Sequence, residues 1–168
     1  NQSNKNINLQ CTGNYYTNIY KELRKKFNKT KSKKELIKKI KKIYEFQGYQ
    51  ELVNTIEKRI KESKYISIKN EVAKKIAYIR DKYSDTVIIC DEAHRLRPGG
   101  ISKSKDTSKK SSQYLEMIAK YCKNTKIVML TATPIFNDIS DMLWILNILL
   151  MNDNRGTLML PDRLDNLS

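Results

Sequence analysis

VIICDEAHRLRPGG, Val87–Gly100, runs from a β-branched and apolar stretch into two adjacent carboxylates, the chain's only histidine and a Pro-Gly-Gly break. With Thr86 in front, TVIIC has the continuous apolar character of a strand buried on both faces of a parallel sheet. A second such run, KIVML at Lys126–Leu130, leads into Thr131, Ala132 and Thr133. Between them a helix is expected over about Ser112–Lys123, with Tyr114, Ile118, Tyr121 and Cys122 on one face and Ser111 or Ser112 as its N-cap. Strand, helix, strand is a βαβ unit with a right-handed crossover. The fold class follows: α/β, a parallel sheet with flanking helices, and a helical N-terminal half.

In open parallel sheets, ligands sit at the carboxyl ends of the strands. Asp91 and Glu92 leave one strand there, and Thr131–Thr133 leave the other. An acidic residue at that place suits Mg²⁺, which takes few protein carboxylates and keeps water and phosphate for the rest of its shell. The next carboxylate points elsewhere and can orient an attacking water. His94 is within reach of the 131–133 turn, where small hydroxyl residues both donate and accept. Taken singly these features are bland, since an Asp-Glu pair ends many strands and TATP suits an ordinary turn.

Outward from this unit the grammar is helical. Leu36, Ile37, Ile40, Ile43 and Tyr44 keep helical spacing over Lys33–Tyr44, within a Lys-rich region that also includes Thr17–Phe27, and the lysine face is expected to be solvated. YEFQGY, Tyr44–Tyr49, reads equally as a short strand and turn or as a helix break at Gly48. Helices follow on Tyr49, Leu52, Val53, Ile56 and Ile60, and on Val72, Ile76, Ile79 and Tyr83. The first eight residues are polar and expected to be loose, and Arg97–Ser112 is expected to be a surface loop. Asn137–Leu150 is an almost wholly apolar helix whose Met142, Leu143, Trp144, Leu146, Leu149 and Leu150 read as core. The division expected is 1–83 as the helical, Lys-rich part of the lobe or an insertion in it, 84–152 as the sheet core, and 153–168 as a linker.

The net charge of +15 is concentrated in residues 1–85, which hold 22 Lys/Arg against 9 Asp/Glu, whereas residues 86–168 hold 11 against 9. Nucleic acid is the natural partner of such a surface. A competing source is codon bias, because Lys, Asn and Ile number 26, 15 and 20 and Lys outnumbers Arg 26 to 7. Cys11, Cys90 and Cys122 are odd in number and lack CxxC spacing, which excludes a disulfide framework or zinc site and fits an intracellular protein. Met142–Met151 is too short to span a bilayer, so no membrane role is expected.

DEAH at 91–94 followed by LTATP at 130–134 resembles the second and third motifs of superfamily 2 helicases and translocases, making the sheet a partial RecA-like first lobe. DEAHRLR and LTATPIFNDISDMLWILNILL are similar to the Swi/Snf-like branch. The composition resembles that of large-DNA-virus members, the poxvirus-type early transcription factor small subunit and nucleoside triphosphatase I. The resemblance is firm over about 84–152, and QCTGNYY (10–16) falls near the family's first nucleic-acid-contacting motif. It implies ATP and Mg²⁺ as cofactors, Asp91 and Glu92 as catalytic with Asp91 serving magnesium, and His94 with Thr131, Ala132 and Thr133 coupling hydrolysis to nucleic acid. Arg95, Arg97, Lys103 and Lys105 are candidate nucleic-acid contacts. The implied partners are nucleic acid, DNA favoured, a second helicase lobe of the same chain, and viral RNA polymerase or transcription factor subunits in a virion or host cytoplasm. The sequence departs from the family in lacking a G-x-G-K-T-like phosphate loop, and it opens on Asn, so an excerpt of a longer polypeptide is expected. Two alternatives stay open: a non-catalytic nucleic-acid-binding or scaffold module, and the motor subunit of a restriction system.

Overall fold

The computed structural model describes residues 7–10, 21, 22, 25, 33–96, 105–135 and 139–159. Four parallel strands form one sheet in the order β2-β1-β3-β4, with β1 at Ile7–Gln10, β2 at Tyr44–Phe46, β3 at Val87–Asp91 and β4 at Lys126–Leu130. The helices with defined bounds among the described residues are α1 (Lys33–Ile43), α2 (Tyr49–Arg59), α3 (Ser63–Ile66), α4 (Glu71–Tyr83), α5 (Lys105–Tyr121) and α6 (Ile139–Asn152). The parallel α/β class and the β3-α5-β4 unit agree with the sequence. Strand order reverses between β1 and β3: the chain goes from β1 outward to β2, then crosses back to the other side. That reversal is where an open α/β sheet forms its ligand crevice.

β1 corrects the expectation of a loose start at residues 7 and 8, because Ile7 and Asn8 already pair with Tyr44 and Glu45 on one side and Val87 and Ile88 on the other, while residues 1–6 lie outside the described residues. INLQ alternates apolar and polar over only four residues, too short a pattern to stand out. YEFQGY resolves as the strand and turn, not as a helix broken at Gly48. Tyr44–Phe46 is β2, and Gly48, in extended backbone, starts α2. Gln47 is buried between them, donating from Nε2 to the Thr55 hydroxyl at 2.9 Å. The sheet thus takes two of its four strands from the part of the chain before residue 84.

Helical spacing is realised where it was clear. Leu52, Val53, Ile56 and Ile60 in and just after α2, and Ile79 and Tyr83 of α4, are buried, and Asn70 caps α4 by accepting from the Val72 and Ala73 amides at 2.8 and 3.0 Å. On α1, Lys34, Lys38, Lys41 and Lys42 are exposed, the solvated face expected. One core joins these residues to Tyr114, Leu115 and Ile118 of α5, Ile148 of α6, and Ile88, Cys90 and Ile127 of the sheet.

Three expectations need correction. β3 and β4 are not buried on both faces: Ile88, Cys90 and Ile127 are buried, while Val128 and Leu130 on the opposite face are 42% and 36% exposed. The reason is that, among the described residues, the core lies on one side of the sheet. The same one-sidedness leaves Ile148 as the buried residue of α6, with Leu146 exposed and Met142, Leu143, Trp144, Leu149 and Leu150 only half-buried. Finally, α5 starts at Lys105, so Ser111 and Ser112 are interior helical residues and not caps. Both are buried, and their hydroxyls donate to the Tyr49 and Lys109 carbonyls at 3.4 and 3.0 Å, which lets polar side chains sit inside the packed face. Residues 97–104 of the expected loop lie outside the described residues, as do residues 11–16 of QCTGNYY and most of Thr17–Phe27.

The register that aligns the functional edge is fixed at the opposite edge. Asp85 and Asn124, both in the left-handed region at φ 58° and 52°, turn the chain into β3 and β4, and Asn124 Nδ2 donates to Asp85 Oδ1 at 2.8 Å. The Thr125 and Thr86 hydroxyls both donate to the Tyr83 carbonyl at 2.7 Å. On the outer side of β4, Asn152 accepts from the Ile127 amide at 3.1 Å and donates to the Thr125 carbonyl at 2.9 Å, meeting strand groups that would otherwise lack a ladder partner. With the strands pinned in this way, Asp91 lies opposite Leu130, and the residues that follow each of them emerge side by side.

Candidate active site at the carboxyl edge of the sheet

At the end of β3 the chain turns sharply. Glu92 holds φ 54°, a left-handed conformation that a side chain with a Cβ adopts at a cost of about 1–2 kcal/mol. A short 3-10 turn, Ala93–Leu96, follows, closed by the Arg95 amide donating to the Glu92 carbonyl at 2.9 Å and anchored by Ala93 and Leu96, both buried in the core. This anchored turn carries Glu92 and His94 up from the sheet edge. Their side chains stay in contact with solvent, 41% and 24% exposed.

His94 is the hub of the site. Its Nδ1 lies 3.2 Å from Glu92 Oε2 and 3.1 Å from Thr131 Oγ1, which joins the turn after β3 to the turn after β4. Thr131 Oγ1 also accepts from the Thr133 amide at 3.2 Å, so its own proton is free to be donated towards His94. One ring nitrogen therefore faces two oxygen partners. With a proton on Nδ1, His94 donates to the Glu92 carboxylate and holds it. Without one, Nδ1 accepts from the Thr131 hydroxyl, and its lone pair repels the carboxylate. The turn after β3 and the turn after β4 thus share a single imidazole nitrogen.

Asp91, the last residue of β3, is half-buried, and its carbonyl accepts a hydrogen bond from the Tyr49 hydroxyl. Of the remaining residues singled out in the sequence, Ala132 and Thr133 are exposed, Arg95 is exposed on the 3-10 turn, and Lys105 opens α5. Arg97 and Lys103 lie outside the described residues. The structure therefore brings together Asp91, Glu92, His94 and Thr131. Tyr49 was not expected to touch this group; the only hint was its place at the end of the ambiguous YEFQGY.

The donor set fits magnesium in a particular way. Among the described residues no cluster of three or more His, Cys, Asp or Glu side chains forms a metal cage. Asp91, at the end of β3, instead offers a single carboxylate at an open sheet edge, which suits an ion that keeps most of its shell for water and phosphate oxygens.

Residues 5–136 match the family model described as type III restriction enzyme, res subunit. The chain belongs to this family. The match runs through β1, the DEAH turn and the TATP turn, and it makes the fold a partial RecA-like lobe of superfamily 2 helicase type, an ATP-binding and nucleotide-binding class of domain. No curated protein and no solved structure gives a match. No helix among the described residues is long and apolar enough to cross a membrane.

Proposed function

We propose that this lobe binds ATP at the carboxyl edge of its sheet and hydrolyses it with Mg²⁺ to drive movement along DNA. The observation that carries the reading is His94 Nδ1 placed between Glu92 and Thr131, a polar link between the two strand ends at the ligand-binding edge. Asp91 would hold magnesium, largely through water, and the ion would neutralise developing phosphate charge. Glu92 orients the attacking water and takes its proton. His94 receives Glu92 or Thr131 in alternation, so that a shift of the Thr131–Ala132–Thr133 turn frees or restrains Glu92. Arg95, Arg97, Lys103 and Lys105 supply cations for the phosphate backbone. A phosphate-binding loop and a second lobe would complete such an enzyme.

The family's description is compatible with a restriction-type motor among the specific settings. The Swi/Snf-like branch, with viral transcription partners and a virion or host-cytoplasm location, rests on the resemblance of DEAHRLR and the residues following LTATP together with the composition. The other alternative is a non-catalytic nucleic-acid-binding or scaffold module; the contact of Glu92 with His94 supports the catalytic reading over it. The test is ATP hydrolysis by the complete polypeptide with and without duplex DNA, alongside DNA affinity at several salt concentrations. DNA-stimulated hydrolysis and affinity that falls steeply with salt are expected. Hydrolysis indifferent to DNA would remove the motor reading, and salt-independent affinity would remove the phosphate-tracking surface.

A further inference from the structure

The geometry points to Tyr49 as a positioning residue for the Asp91–Glu92 pair, an assignment that rests on the ATPase reading above. Tyr49 opens α2, three residues after β2 ends. In the sheet, β1 lies between β2 and β3, so the Tyr49–Asp91 contact joins the residues that follow β2 to the end of β3, at the place where strand order reverses. Its side chain is half-buried and packs against the core, and its own carbonyl accepts from the buried Ser111 hydroxyl of α5. The phenol is thus held from below by the packed helices and aimed at one backbone oxygen.

That oxygen belongs to the peptide unit joining Asp91 to Glu92, which matters because Glu92 sits at φ 54°. A residue in this conformation returns readily to ordinary backbone unless its surroundings over-determine it. Rotation of the 91–92 peptide is the simplest way to relax, and it would swing the carbonyl away from Tyr49 and release the turn that carries Glu92 and His94 to rearrange. The Tyr49 bond opposes that rotation from one side, as the buried Ala93 and Leu96 do from the other. Tyr49 does not touch the reacting atoms; it keeps the carboxylate that does so in register with His94 and Thr131.

Tyr49→Phe keeps the ring and its packing and deletes only the donor. In the complete polypeptide, kcat for ATP is expected to fall about fivefold to tenfold, the size of one well-placed hydrogen bond, with KM within about twofold of wild type. Amide hydrogen exchange over residues 91–96 should speed up while the rest of the lobe is unchanged, a readout independent of hydrolysis. Glu92→Gln is measured alongside. If Glu92→Gln is inactive while Tyr49→Phe keeps wild-type kcat and exchange, the Tyr49 assignment is wrong and the ATPase reading stands. If Glu92→Gln hydrolyses normally, that reading fails and takes the Tyr49 assignment with it. A Tyr49→Phe protein that raises KM and lowers thermal stability without a kcat effect marks the Tyr49 hydroxyl as a contributor to stability only, and also overturns the proposal.

Discussion

Replacing Glu92 by glycine and by alanine tests, without any assay of activity, whether the site stores backbone strain. Both changes delete the carboxylate and its contact with His94, so the difference between them isolates the backbone. At an ordinary helical position alanine is the more stable by about 0.5–1 kcal/mol, because glycine loses more chain entropy on folding. At φ 54° the order should invert, since alanine pays the left-handed penalty of about 1–2 kcal/mol that glycine avoids. The two terms oppose, and glycine is expected to be ahead by about 1 kcal/mol, or about 2–4 °C in Tm. Urea unfolding can be followed through Trp144, the single tryptophan, whose indole N–H donates to Glu116 at 2.9 Å inside the fold. Gln113, exposed and mid-helix in α5, provides the control pair, where alanine should win by about 1 kcal/mol. If the alanine variant at 92 equals or exceeds the glycine variant while the control behaves, the turn is not strained and the argument from Glu92 geometry falls.

Further outcomes follow from other contacts. Asn152→Leu removes both bonds to the outer edge of β4 and should cost about 1–3 kcal/mol in urea unfolding; a loss below about 0.3 kcal/mol would show that Asn152 does not pin the strand. Burial pushes the Cys122 thiol up to about 11, so at pH 8 its alkylation, followed by peptide mass spectrometry, should be much slower than that of a free thiol; free-thiol rates there would contradict its packing against the Ile79 carbonyl. The same shift has a stability consequence. The folded state keeps this proton to higher pH than the unfolded chain does, so stability is full below about 9 and falls between about 9 and 11. Burial raises Tyr83 and Tyr114 in the same sense, the latter reinforced by its bond to Glu57, which extends the loss to still higher pH; a urea midpoint that is flat from pH 8 to 11 would refute this.

The sequence revealed the part of the site that depends on neighbouring residues. TVIIC and KIVML announce strands by composition, and the strand-end rule then puts Asp91, Glu92, His94 and Thr131 at one edge. Less visible was whatever depends on distant contacts. INLQ is too short and too polar to read as a strand, yet pairing on both sides makes it central. Ser111 and Ser112 look like caps because hydroxyls usually serve there, but Ser111 instead meets the Tyr49 carbonyl from within the helix. Apolar residues of α6 look like core because periodicity cannot say whether a partner surface is present. Tyr49 had no local signature, since its importance comes from a backbone oxygen 42 positions away.

The central claim is that Glu92 performs the hydrolytic step at an ATP site built on this sheet edge. It is tested most directly by comparing ATP turnover by wild type and Glu92→Gln in the complete polypeptide at saturating Mg²⁺ and duplex DNA, with nucleotide binding measured in parallel. The account predicts that the variant still binds ATP and loses turnover by about a hundredfold or more, the scale of a missing general base. Turnover at the wild-type rate with binding intact would contradict it.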